Sequence, residues 1–200
     1  MKQIKTVKVD VTNMNTYQET KVLYASELVL GFFQSMTFAL KFAATDIQSL
    51  RGESESSISK RLNKDELMTL FMTGKEEWNG IADYEIDLHV SRYKKWWSKV
   101  KGYIIPMKRT IYVNGKFFDD SSVVDVADNL CHEWPHTLGF RHSGPYIRES
   151  IPYLINEWFK LWAATHTPIP KSTRSYKLIC KRQWYTLWST KKCYRVVTNE

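Results

Sequence analysis

Residues 131–142 of this 200-residue chain read Cys-His-Glu-Trp-Pro-His-Thr-Leu-Gly-Phe-Arg-His, and they gather three of its five histidines with a glutamate and a glycine. On a helix, at about 100° per residue, His132 and His136 fall within about 40° of one another, so both imidazoles can meet one ion. Glu133 sits at the edge of that face, where its carboxylate can reach a water on the metal without binding the metal. Gly139 can take the positive φ that turns a chain sharply out of a helix, bringing His142 back as a third nitrogen ligand. Three protein ligands leave a fourth position open, which is the pattern of a catalytic rather than a structural zinc. Zinc lowers the pKa of a water it holds from about 15.7 to about 7 and polarises a carbonyl. The expectation is one Zn2+ held by His132, His136 and His142, with Glu133 as general base.

Such a site needs a rigid wall. Residues 121–138 read as a helix capped by Asp119, Asp120 or Ser121. Val123, Val126, Ala127, Leu130 and Trp134 share the face opposite the histidines, as on a cleft wall backed by a core. Pro135 removes one helical amide and predicts a kink between Glu133 and His136. Elsewhere, residues 4–11 and 84–90 alternate as strands. Residues 102–105 and 110–113 flank a Pro106-containing turn as a hairpin, closed by Asn114-Gly115. Residues 19–45 hold no proline and one glycine, predicting a single long buried helix. Residues 51–59 read as a polar loop, and residues 63–72 as a helix stopped by Gly74. The fold class expected is α/β (α+β), with a twisted mixed sheet, a backing helix and an active-site helix.

Charge divides the chain. Residues 1–157 carry 20 basic and 20 acidic side chains, whereas residues 158–200 carry nine and one, so the net +8 resides in the last 43 residues. This predicts a domain over 1–157 and a basic, aromatic-rich extension over 158–200, linked near Pro168 and Pro170. Residues 176–180 and 185–197 are strand-like and suit a hairpin. Cations among Trp158, Trp162, Trp184 and Trp188 fit nucleic acid, an anionic cell-envelope polymer or an acidic protein, or else a hairpin packed on the domain with its lysines solvated. The longest apolar run, residues 28–40, is too short to span a bilayer. With no signal-like start and only Cys131, Cys180 and Cys193, the composition points to a reducing cytoplasm at synthesis, with release on lysis or packaging in a particle as later fates. Cys180 and Cys193 could pair across a hairpin in an oxidising setting. A monomer is expected.

The 131–142 segment resembles the zinc signature of the metzincin metallopeptidases. A closer likeness is to small metallopeptidase-like proteins encoded by bacteriophages and bacteria. It is carried by Phe71-Met-Thr-Gly-Lys-Glu-Glu77, Lys101-Gly-Tyr103, Ile111-Tyr-Val-Asn114, Asn129-Leu-Cys-His-Glu-Trp134 and Ser150-Ile-Pro-Tyr153, over roughly residues 20–157. The resemblance implies a compact zinc metalloendopeptidase with a mostly parallel sheet and an antiparallel edge strand on which a peptide or protein substrate lies. Gly102, Tyr103, Ile104 and Ile105 are the matching stretch. Metzincins carry a methionine turn beneath the zinc, but all six methionines here precede the motif, and Ser150-Ile-Pro-Tyr153 occupies that region. Tyr153 is thereby a candidate to steady the oxyanion, or else a buried structural tyrosine.

Other residues give rival readings. Glu157 follows His136 at a spacing similar to that of a glutamate third ligand, although Gly139 with His142 explains more and a solvent-facing helix glutamate is the plainer reading. Cys131 reads as a small core residue, and His89 and His166 as structural. Lys94-Lys-Trp-Trp-Ser-Lys99 reads as a partly buried tryptophan pair beside a charged edge, or a binding patch. A different class of function remains open: a nucleic-acid- or envelope-binding protein acting through the extension, with a structural zinc.

Overall fold

The computed structural model describes the backbone of residues 3–166, 176–185 and 188–198, and the side chains of residues 3–166. Strand β1 (Thr6–Thr12) leads into helices α1 (Thr16–Phe33) and α2 (Met36–Ala44). After a long loop come α3 (Lys64–Thr73), β2 (Glu85–Tyr93), β3 (Gly102–Ile104) and β4 (Thr110–Asn114). Then follow a short α4 (Gly115–Phe118), α5 (Val123–Thr137) and α6 (Ile151–Thr165). A four-stranded mixed sheet runs in the order β3-β4-β2-β1, with β1–β2 and β2–β4 parallel and β3–β4 antiparallel at the edge. The backbone of a hairpin, β5 (Tyr176–Tyr185) and β6 (Trp188–Thr198), continues the sheet beyond β1. This is the α+β class the sequence suggests.

Helices α1 and α5 pack side by side against the sheet, and α6 closes over both. The core between them is rich in rings, with Phe32, Phe33, Phe38, Phe71, Trp134 and Phe159 all buried. The α5 stripe of Val126, Ala127, Leu130 and Trp134 faces this core, as its periodicity predicts, and Cys131 is buried with it. Among the described residues no single helix is long and apolar enough to cross a membrane.

Several expectations are corrected. Residues 19–45 form two helices bent by 56°, not one. Ser35 breaks the run because its hydroxyl accepts from the Phe38 amide at 3.2 Å and starts α2 as an N-cap. Ser122, rather than residues 119–121, caps α5 in a reciprocal box with Asp125 (3.1 and 3.0 Å). Asp119 is engaged elsewhere, by Arg92 and Gln18. Asn114-Gly115 opens α4 instead of closing a turn. Helix α6 runs through residue 157, and Trp158 and Trp162 on it are buried in the core, packed on the domain. The linker prolines, and the side chains of Trp184, Trp188, Cys180 and Cys193, lie outside the described residues. The backbone register does set Cys180 opposite Cys193.

Two buried ionisable side chains fix the elements around α5. Lys21 on α1 donates to the carbonyls of Phe118, Asp119 and Ser121 at 3.1, 3.0 and 2.9 Å, holding the turn from which α5 starts. Glu76 accepts from Trp134 Nε1 at 3.0 Å and the Asp87 amide at 3.3 Å, while its second oxygen has no hydrogen-bond partner among the described residues. Burial, with Asp87 and Asp83 nearby, pushes the Glu76 carboxyl up to about 8 against the pull of the Trp134 bond. The folded chain therefore keeps a proton that an unfolded chain releases above the ordinary value of 4.5. Stability contributed here falls as pH rises from that value toward the folded pKa. At pH 7 the loss is on the order of 3 kcal/mol. Glu76→Gln keeps the acceptor for Trp134 and has no proton to lose. Its urea midpoint should match wild type near pH 5 and exceed it near pH 8, and parallel pH profiles for the two proteins would refute this.

Candidate metal centre

Helix α5 ends at Thr137, two residues beyond Pro135. The helix continues through the proline because its missing amide lies in the last turn, and the proline carbonyl accepts from the Leu138 and Phe140 amides (both 3.1 Å). Gly139 has φ +103°, a backbone conformation that requires glycine, and a Cβ there would also press on the Glu77 carboxylate, 2.7 Å from Oε1. The turn returns His142 to the helix face. Ring centroids are 5.4 Å apart for His132–His136, 5.4 Å for His132–His142 and 4.9 Å for His136–His142. One nitrogen of each lies within 4.8 Å of the others, close enough to hold a metal ion.

The surroundings suit a cation. His136 Nδ1 lies 2.7 Å from the Phe140 carbonyl, which directs Nε2 toward the other rings. His132 sits beside the Pro152 carbonyl and the Asn156 amide. Burial, reinforced by His142, lowers His132 to about 4; burial and His132 lower His136 to about 3; burial lowers His142 as well. All three imidazoles are neutral at pH 7, with lone pairs free for an ion. Burial raises the Glu133 carboxyl to about 8 against a hydrogen bond from Asn129, and a cation on the histidines would draw it back down.

A cavity of about 370 Å³ opens over these groups, lined by His132, Glu133, His136, His142, Arg141 and Tyr153 on one side and by residues of β3 and its flanks on the other. Tyr153 packs edge-on against His132 and His142, at 4.6 and 5.2 Å between centroids. Gly102, Tyr103 and Ile104 line the cleft; Ile105 lies beyond the end of β3 and outside the lining, where Val100 and Pro106 stand instead. A Cβ on Gly102 would sit 2.6 Å from Asn129 Oδ1 and 3.2 Å from Glu133 Oε1, so glycine lets the edge strand pass directly over the glutamate. Glu157 is exposed on α6 and belongs to no metal-binding cluster among the described residues. His89 is buried with Nδ1 3.2 Å from Asp10, His166 bonds the Trp162 carbonyl at 2.8 Å, and neither joins a metal-binding cluster among the described residues.

No protein-family model, no curated protein and no solved structure matches this chain. The site's own geometry carries its reading.

That geometry includes residues the sequence did not single out. The polar loop 51–59 wraps the turn that bears His142. Glu53 forms a β-bridge with His142, Ser54 N donates to the Arg141 carbonyl (2.9 Å), and Ile58 N donates to the Gly139 carbonyl (2.9 Å). The Glu53 carboxylate is buried and accepts from Ser57 Oγ, from Ser59 Oγ at 2.6 Å and from the Ile151 amide at 2.6 Å, which ties the loop to the start of α6 two residues before Tyr153. Arg141 donates to the His136 carbonyl at 2.6 Å and pairs with Glu77, clamping the same turn from the other side. A serine-rich polar stretch looks like any solvated loop until its partners, some 90 residues away, are placed against it.

Proposed function

We propose that the chain is a zinc-dependent hydrolase of peptide bonds. The observation that carries this reading is the convergence of three neutral imidazoles with a buried glutamate in one cleft beneath a free sheet edge. His132, His136 and His142 would hold the ion. When bound there, zinc supplies Lewis acidity and lowers the pKa of a water to about 7. An extended substrate adds to the outer edge of β3, which brings its carbonyl over Glu133. Glu133 takes a proton from the attacking water as the C–O bond forms, then delivers it to the leaving nitrogen as the C–N bond breaks. The Tyr153 hydroxyl, carried on a ring braced by two of the histidines, donates to the developing oxyanion.

Metal analysis of the purified, folded chain should return one zinc per chain. A mixed-sequence peptide digest should show cleavage that a chelator abolishes and added zinc restores. A folded chain that takes up no zinc from a buffered zinc solution would overturn the reading.

A further inference from the structure

Residues 88–118 contain eight cations and no acid, whereas the rest of residues 1–157 contains twelve cations and twenty acids. The neutral total of that body therefore hides a basic segment, and the fold places its middle, residues 100–106, at the mouth of the cleft, while Arg92 is spent on Asp119. Val100, Gly102, Tyr103, Ile104 and Pro106 line the cavity. Lys99 and Lys101 precede this run or interrupt it, and Lys108 and Arg109 follow. None of these four cations, nor Lys94 or Lys95, reaches an acid within ion-pair distance among the described residues.

The lip is built rather than loose. Fully buried Asn114 accepts from the Lys95 amide at 3.2 Å and donates to the carbonyls of Lys95 and Val100 at 3.0 and 3.3 Å. Its own amide donates to the Lys101 carbonyl at 2.8 Å. On this pinned loop Trp96 is 61% exposed and Trp97 95%, contrary to the expectation of a partly buried pair. Lys94 Nζ stands 4.4 Å over the Trp96 ring. Ile105 and Met107 extend the exposed apolar surface along the same edge. Arg109 is engaged over the Trp78 ring at 5.6 Å and Lys101 acts on Asp125 and Asp128, but indoles held in water on a fixed loop beside the exposed Lys94, Lys95, Lys99 and Lys108 are the composition of a recognition surface.

We propose that this lip selects acidic peptides, with Asp or Glu on both sides of the scissile bond and an apolar side chain reaching Trp96 and Trp97. The inference rests on the peptide-hydrolase reading and names its substrate class. A peptide in β-register with Gly102–Ile104 advances about 3.3 Å per residue, so its flanking residues pass Lys99 and Lys101 on one side and Lys108 on the other. Cations with tryptophans also suit a single nucleic-acid strand. A peptide is favoured because it alone supplies amides and carbonyls to the free edge of β3.

The test uses the zinc-loaded full chain and two fluorogenic peptides with one shared apolar centre, flanked by Asp/Glu or by Lys. The acidic peptide should be cleaved with a kcat/KM at least about tenfold higher at low salt, the gap closing at high salt. The triple variant Lys99→Glu, Lys101→Glu, Lys108→Glu should invert the preference; these side chains are exposed, and the wild-type salt comparison stands without the variant. Equal cleavage of both peptides overturns this inference and leaves peptide hydrolysis standing. Cleavage of neither overturns the hydrolase reading and the inference with it. Equal cleavage together with tight, lysine-dependent binding of a single-stranded oligonucleotide reassigns the lip to nucleic acid.

Discussion

Glu133→Gln should retain one zinc per chain and lose about 10³-fold in kcat/KM, the span a positioned general base contributes. Glutamine has the shape of the buried carboxyl and can keep the hydrogen bond with Asn129. It has no charge for the cleft to desolvate and no basic oxygen to receive a proton. The three imidazoles are untouched, and their contacts with Phe140, Pro152 and Asn156 do not involve position 133. Metal content and catalysis therefore separate cleanly in this variant. Undiminished hydrolysis by the zinc-loaded variant would remove Glu133 from the mechanism. Loss of zinc together with activity would instead make it a ligand.

Glu53→Ala should weaken zinc binding about 10- to 100-fold and destabilise the fold by about 3–5 kcal/mol. The buried Ile151 amide loses its acceptor, and two serine hydroxyls lose a charged one. Ser59 can turn wholly to Ser57, 2.9 Å away, but the amide has no such choice. The loop that bridges His142 is then released from the start of α6, so the third histidine and Tyr153 lose their common support. Glu53→Gln, which retains one acceptor oxygen, should recover part of both losses. A chelator competition titration and a urea melt read the two effects separately. An alanine variant with wild-type zinc affinity would show that His142 is held well enough by Arg141 and the turn itself.

How much was legible depended on the range of the interaction. The helix of α5, its apolar stripe, the glycine turn and the hairpin of β3 and β4 follow from contacts a few residues apart, and each emerges in the structure within one or two residues of its reading. The break at Ser35 was missed because a hydroxyl that caps a helix looks, in sequence, like one that merely decorates it. Trp158 and Trp162 read as an aromatic extension because the core they enter is assembled from α1 and α2, more than a hundred residues earlier. Trp96 and Trp97 went the other way: hydrophobicity suggested partial burial, but Asn114 pins their loop facing water.

The sequence alone determined the donor set, because a helical repeat, a glycine and three imidazoles at that spacing leave little freedom in where the nitrogens converge. It also determined which face of α5 would meet the core. Only the tertiary structure decided what holds and surrounds that set. It brought Glu53 to His142, Arg141 to Glu77, Gly102 over Glu133, and the lysine-flanked edge strand to the cleft's mouth. Those pairings join residues separated by about 30 to 100 positions, and local propensity carries no information about which distant segments the closing of a core will set side by side.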